Sequence, residues 1–311
     1  MQRLVSVCLL VALSGALAVA QTPTVDQLPR QSSISQYGIT WTFSEPVPVG
    51  QFVSGDYYVV GPVTVTRISP APASGRHGSV LNPQFGFAQG YDDRITSNRY
   101  DASLVVRLPL TVRPGDVLIS TTSHPTGDGI PIQDGGTIYS HINIYQQLRP
   151  WYDGKNAYSP LKDAALLTCL AAPVPTDAFR PPYIGPKDRV FRASQLHREL
   201  LLALPRPAST PPIQDFVRIF DRLWIDHHEQ SWTNRFMHPT ENMPDYGSQY
   251  ELAVAEASLL LLTDLPASQK EPLLLNFVQV GLDIWGMAAT VGPNRGWEAL
   301  GGHGNGRKWP L

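Results

Sequence analysis

Residues 37–43, Tyr-Gly-Ile-Thr-Trp-Thr-Phe, and residues 213–224, Ile-Gln-Asp-Phe-Val-Arg-Ile-Phe-Asp-Arg-Leu-Trp, decide the fold class between them. The first stretch puts Tyr37, Ile39, Trp41 and Phe43 on one side of an extended chain, because side chains alternate faces with period 2. The second puts Ile213, Phe216, Val217, Phe220, Leu223 and Trp224 along one stripe of a helix. Period 2 prevails from Ile34 to about Tyr145, and the period changes near Lys187. The chain therefore reads as α+β in two domains, an antiparallel β-sandwich or jelly-roll-like domain followed by a helical one.

Working outward, further strands are expected at residues 57–60, 63–68, 104–108, 117–121 and 138–145. Pro114-Gly115 fits the centre of a type II turn, which would join the strands before and after it as a hairpin. Seven prolines between Pro150 and Pro186 break any long element there. A short helix is expected over 163–170, and the connector should pack on both domains, because Trp151, Tyr152, Phe179 and Tyr183 need burial. Helices are expected over 190–204, 212–226, 245–262 and 269–290. The last two are apolar around much of their circumference and form a hairpin of the kind that builds an α/α toroid. The resulting boundaries are 1–20, 21–150, 151–186 and 187–311.

Residues 1–20 read as a secretory signal peptide. Arg3 precedes an apolar run that ends in Ala18-Val19-Ala20, a signal-peptidase pattern. The expected location is secreted or periplasmic, with no later segment long and apolar enough to span a membrane. Cleavage removes Cys8 and leaves Cys169 alone in an apolar stretch, expected to be buried and inert. A formal charge of −2 and the lack of a basic block argue against nucleic acid and anionic membranes as partners.

Chemistry-bearing residues gather in two places. Residues 226–246 hold Trp232, Asn234, Arg235, His238, Asn242 and Tyr246; residues 292–309 hold Trp297, His303, Asn305, Arg307 and Trp309 among glycines. Glycines in such number suggest backbone packed tightly around a ligand. Plainer readings stand beside this one: His227-His228 as a helix C-terminal cap, Asp226, Glu229, Glu241 and Asp245 as caps and solvated charges. No metal-ligand spacing appears and no cofactor is implied. An up-and-down helical hairpin would bring both clusters to the same side, with His238, Asn242 and Tyr246 on one wall of a cleft and His303, Asn305 and Arg307 on the other.

The stretches Asn234-Arg-Phe-Met-His238, Asn242-Met-Pro-Asp-Tyr246 and Gly301-Gly-His-Gly-Asn-Gly-Arg307 resemble parts of secreted bacterial α/α-toroid polysaccharide lyases and glycoside hydrolases. The likeness covers about residues 187–311 and is one of superfamily style. A complete toroid takes more helices than these residues supply, so it implies a partial toroid or a smaller helical domain. It also implies a polysaccharide substrate. A lyase acting on a uronic-acid polymer needs carboxylate neutralisation and proton transfer. His238, Tyr246 and His303 are the candidates for the protons. Asn234, Arg235, Asn242, Asn305 and Arg307, with Trp232 and Trp297, are those for binding. The alternatives are an inverting glycosidase using two of the carboxylates and a non-catalytic secreted carbohydrate-binding or surface protein.

Overall fold

A computed structural model of the chain describes residues 21–86, 88–95, 99–125, 130–131, 137–138, 142–149, 159–227, 237–291 and 300–310. The signal-peptide stretch 1–20 lies outside them, as do Trp151 and Tyr152. The fold is mixed α+β. Its strands are β1 (Arg30–Gln36), β2 (Ile39–Gln51), β3 (Tyr57–Val60), β4 (Val63–Ser69), β5 (Ser79–Leu81), β6 (Ala88–Gln89), β7 (Arg99–Tyr100), β8 (Leu110–Val112), β9 (Val117–Ser123), β10 (Ile130–Pro131), β11 (Thr137–Ile138) and β12 (Leu161–Leu170). The helices are α1 (Ile144–Leu148), α2 (Ile213–Phe220), α3 (Gly247–Leu261), α4 (Ala267–Val291) and α5 (His303–Lys308).

One eight-stranded sheet runs β5-β9-β12-β3-β2-β4-β8, with β1 added against β2; β12–β3 is its parallel pair. The sheet curls. Strand β2 pairs with β4 through residues 40–43 and with β3 through residues 49–51, so it serves two parts of the sheet. Strands β8 and β9 lie towards opposite ends of the strand order, yet only residues 113–116 separate them. The turn there has Gly115 at φ +94° and Asp116 N–H donating to the Arg113 carbonyl over 2.9 Å. The type II geometry expected of Pro-Gly is therefore present, but it closes the curl instead of joining a paired hairpin.

The curled interior is apolar. Ile39, Trp41, Phe43, Val49, Val59, Val65, Val112, Leu118, Leu167 and Cys169 form one cluster. Trp41 Nε1 reaches across it to Ser120 Oγ at 3.0 Å. The other face of the sheet joins the helices in a second cluster, where Val117, Ile119, Leu161 and Leu166 meet Phe216, Phe220, Trp224, Tyr250 and Met287. Strands β9 and β12 thus alternate between two cores, Leu118 and Leu167 inward, Ile119 and Leu166 towards the helices.

That double burial corrects the helix expected over 163–170. A strand covered on both faces carries a near-continuous apolar run, and over so few residues such a run does not distinguish strand from helix. Three other expectations are revised. Residues 102–104 form a 3₁₀ turn where a strand was anticipated at 104–108. Residues 144–148 are helical, because Asn143 and Gln146 make a reciprocal capping box at the start of α1. Residues 190–204 form two short 3₁₀ turns. Leu200, Leu202 and Leu204 are exposed there, and an apolar stripe forms a stable helix only where a partner surface buries it.

The connector packs on both parts, as Phe179 and Tyr183 are buried. Arg180, 1% exposed, ties them together with ion pairs to Asp56 beside β3 (2.8 Å) and Asp283 in α4 (2.6 Å). By length and composition α4 does reach what a membrane-spanning helix requires. Here it carries Asp283 and Gln279 to Arg180 and buries Leu273, Val280, Ile284 and Met287 in the shared core.

Candidate functional site

The polar centre of the helical part is built around Tyr250, in the first turns of α3. Helix α2 stops at Phe220, and the chain continues through Leu223, Trp224 and Ile225 into the core, carrying Asp226 with it. Asp226, 0% exposed, meets the equally buried Arg307 of α5 in a two-pronged ion pair, Nη2 to Oδ1 at 2.8 Å and Nε to Oδ2. The guanidinium lies over the Tyr250 ring, 4.4 Å from its centroid. Arg307 Nη1 also donates to the His303 carbonyl at 2.9 Å and faces His303 Nδ1 at 3.3 Å.

His238 enters from the loop before α3. Its Nδ1 donates to the Pro244 carbonyl at 2.8 Å, and its Nε2 stands 3.6 Å from Asp226 Oδ1. The electrostatics follow from burial first. Desolvation pushes the Asp226 carboxyl up, but the Arg307 charge and hydrogen bonds outweigh it and, with His238, hold the group at about 2. Burial draws the His238 imidazole below its ordinary value despite Asp226. Burial raises the Tyr250 phenol well above its own.

Glycine lets α5 come this close. The backbone of Gly302, at φ +92°, lies against Gly247 in the first turn of α3; a Cβ on Gly247 would stand 2.2 Å from the Gly301 carbonyl oxygen. The glycines read as wrapping a ligand thus seat one helix upon another.

The two clusters meet, although 65 residues separate His238 from His303: both imidazoles flank Tyr250, at 5.3 and 6.4 Å between ring centroids. They do not form the two-walled cleft expected. His238, Asn242 and Arg307 are wholly buried, and Asn242 Nδ2 donates to the Arg222 carbonyl at 3.2 Å. Removing these groups from water requires that they be paired, which makes them the frame of the site. Its rim is Tyr246, 40% exposed at the N-cap of α3, and the exposed Asn305, whose Nδ2 donates to Glu251; the His303 ring lies 6.3 Å from the Tyr246 ring but is itself buried, directly beneath the rim. Trp232, Asn234, Arg235 and Trp297 lie outside the described residues.

Tyr250 was not anticipated from the sequence, and Asp226 was expected only as a cap, a solvated charge or one of the carboxylates of a glycosidase, not as the buried partner of Arg307. The signal for Asp226 was a carboxylate directly after Leu223-Trp224-Ile225, a run that carries it inside, where it must find a cation. Tyr250 gave no signal beyond its place in an apolar helix. His227 is no helix cap, since α2 ends seven residues earlier; it is buried between Tyr91 and Tyr183, with Nδ1 3.4 Å from the Tyr183 hydroxyl. Among the described residues, no group of three His, Cys, Asp or Glu side chains is placed to hold a metal ion. No protein-family model, curated protein or solved structure matches this chain.

Proposed function

We propose that the chain is a secreted polysaccharide lyase that cleaves a uronic-acid polymer by β-elimination, with Tyr246 and His303 handling the protons. In this reading residues 1–20 are a cleaved signal peptide and the protein works outside the cytoplasm. Its partner is the polysaccharide; nucleic acid, membrane and cofactor play no part. The curled sheet is taken as a jelly-roll-like domain, and α3, α4 and α5 as part of an α/α toroid.

The observation that carries the proposal is the exposed Tyr246 side chain beside His303, whose backbone and ring are both anchored by a buried ion pair. A phenol and an imidazole near one another supply the base for the C5 proton and a donor for the departing oxygen. Asn305 on the same rim would neutralise the C6 carboxylate, a role the sequence also offers to Asn234 and Arg235, which lie outside the described residues. The lyase is preferred to an inverting glycosidase because Asp226, Glu241 and Asp245, the described carboxylates of the first cluster, are engaged. Asp226 is held ionised by Arg307, Asp245 is buried against Asn143, and Glu241 pairs with Arg218. A general acid needs a carboxyl that keeps its proton near neutral pH.

The test is incubation of the purified protein with uronic-acid polymers, monitoring the ultraviolet absorbance of unsaturated products. Tyr246→Phe and His303→Ala should each lower the rate by about 10²–10⁴-fold, the usual size of a proton-transfer contribution. New reducing ends without the chromophore would indicate hydrolysis. Binding without cleavage would leave a carbohydrate-binding protein.

A further inference from the structure

We propose that the groove between the outer face of α3 and the end of α5 binds an uncharged sugar ring, with Trp309 as its stacking platform and Glu251 as the group that turns carboxylates away. That the ring belongs to the polymer cleaved at the rim rests on the lyase reading; the groove's own preference follows from its lining. Glycines lead α5 along α3. Gly302 lies on Gly247, and a Cβ on Gly306 would stand 3.0 Å from the Tyr250 backbone and 3.1 Å from that of Glu251. Past Gly306 the helices leave between them a groove of about 380 Å³ that Trp309 helps to line. By liquid volume it holds roughly a dozen waters, the scale of a sugar ring.

The lining divides by chemistry. Trp309, 67% exposed, and Leu259, 62% exposed, offer apolar surface together with Ala255. Glu251 and Asn305, 3.2 Å apart, make the polar end and join the groove to the rim. At 1.5 Å per residue, Glu251 lies roughly 7 Å along α3 from Tyr246 and Leu259 roughly 20 Å. A sugar ring has the matching division, C–H groups on its faces and hydroxyls around its edge. An indole covers such a face, and a carboxylate accepts from the hydroxyls. None of the residues lining the groove is a cation. A uronate there would bring its charge against Glu251 with no cation in the lining to offset it. An anionic lipid surface is disfavoured for the same reason. The rim keeps a donor for its own uronate, because an amide carries two hydrogens and Glu251 takes one from Asn305. In the lyase reading, a neutral unit therefore adjoins the uronate that is cleaved.

The experiment is NMR titration of the full chain, following the indole N–H of Trp309, assigned by its loss in Trp309→Ala. The probes are neutral tetrasaccharides of glucose, mannose and galactose, and a galacturonate tetrasaccharide. At least one neutral probe should shift this signal, with an affinity about tenfold above that of the uronate. Glu251→Gln, or high salt, should close that gap. By calorimetry, Trp309→Ala should weaken the neutral probe about tenfold, while its unfolding midpoint stays native because the side chain is largely exposed. A signal that no neutral probe shifts, or a gap unaltered by Glu251→Gln, overturns the proposal. So does a dimer that Trp309→Ala dissociates in sedimentation, which would give the groove to a second copy. An all-uronate polymer cleaved as fast as a mixed one overturns the link between groove and substrate. A chain that binds the neutral probe at Trp309 and cleaves no polymer removes the lyase reading while supporting the groove.

Discussion

The interior of the curled sheet and the centre of the helical part are equally dry and differently made. The first is held by Ile39, Trp41, Val59, Val65, Leu118 and Leu167, with hardly a polar atom among them. The second surrounds Tyr250 with an aspartate, an arginine and two histidines, each 3% exposed or less. Apolar packing is non-directional and tolerates changes that conserve volume. A buried polar network tolerates little, because every member depends on its partner for the hydration it has lost. The sheet interior is therefore scaffold. The second centre sacrifices that tolerance for fixed side-chain geometry.

Four perturbations can break that comparison or sharpen it. The largest effect is expected at the ion pair. Asp226→Ala strands the Arg307 charge and should destabilise by about 3–5 kcal/mol in denaturant unfolding. Replacing both residues, Asp226→Leu with Arg307→Met, should restore most of that loss. Additive losses in the double variant would contradict the paired description.

Next comes the sheet interior. Leu167→Ala should cost about 2–5 kcal/mol by leaving a cavity, and Leu167→Met under about 1.5 kcal/mol. A methionine as damaging as the alanine would show that this interior is as exacting as the polar centre.

Acid should separate the two regions further. Asp226 is held at about 2, below the ordinary 3.8, so its stabilising contribution is complete above 3.8 and disappears as pH falls towards 2. At the sheet–helix junction, burial raises Asp221 to about 6 against the attraction of Arg222 and Arg218, and raises Asp163 against that of Arg222. A raised carboxyl costs stability above its folded value, and that cost is relieved as pH drops from about 6 towards 3.8. The calorimetric midpoint should rise over that interval and fall below it. Asp221→Asn should flatten the rise and leave the acid limb unchanged. A midpoint that falls steadily from neutrality would refute the junction's contribution.

The smallest effect concerns Cys169. Burial, aided by Asp116, pushes its thiol up to about 12, and Sγ lies 3.6 Å from the Val112 carbonyl inside the sheet. Native protein should resist thiol reagents and react only after unfolding. Rapid labelling without denaturant would show that the sheet interior opens.

Much of the fold was legible because period reports burial on one face. Strands at 39–43, 57–60 and 63–69, and helices α3 and α4, follow their apolar stripes to within a few residues. Legibility failed wherever a segment is covered on both faces or on neither. Residues 161–170 lost the alternation of a strand by lying between two cores, and residues 190–204 carried a helical stripe of which only Leu201 packs on the core while Leu200 and Leu204 stay exposed. Within the site, residue types foretold the gathering of His238, Tyr246, His303 and Arg307. They were silent on which would be frame and which rim, because exposure is set by neighbours distant in the chain.

The sequence by itself determined the change from strands to helices, the turn at Pro114-Gly115, the burial of Cys169 and the segments that hold the polar residues. These follow from local periodicity, backbone preference and composition, which a short window contains. Tertiary structure alone decided the curl of the sheet, the two-sided burial of β9 and β12, and the pairing of Asp226 with Arg307 across 81 residues. Each depends on surfaces brought together by the collapse of the whole chain, and a buried charge acquires its partner only there.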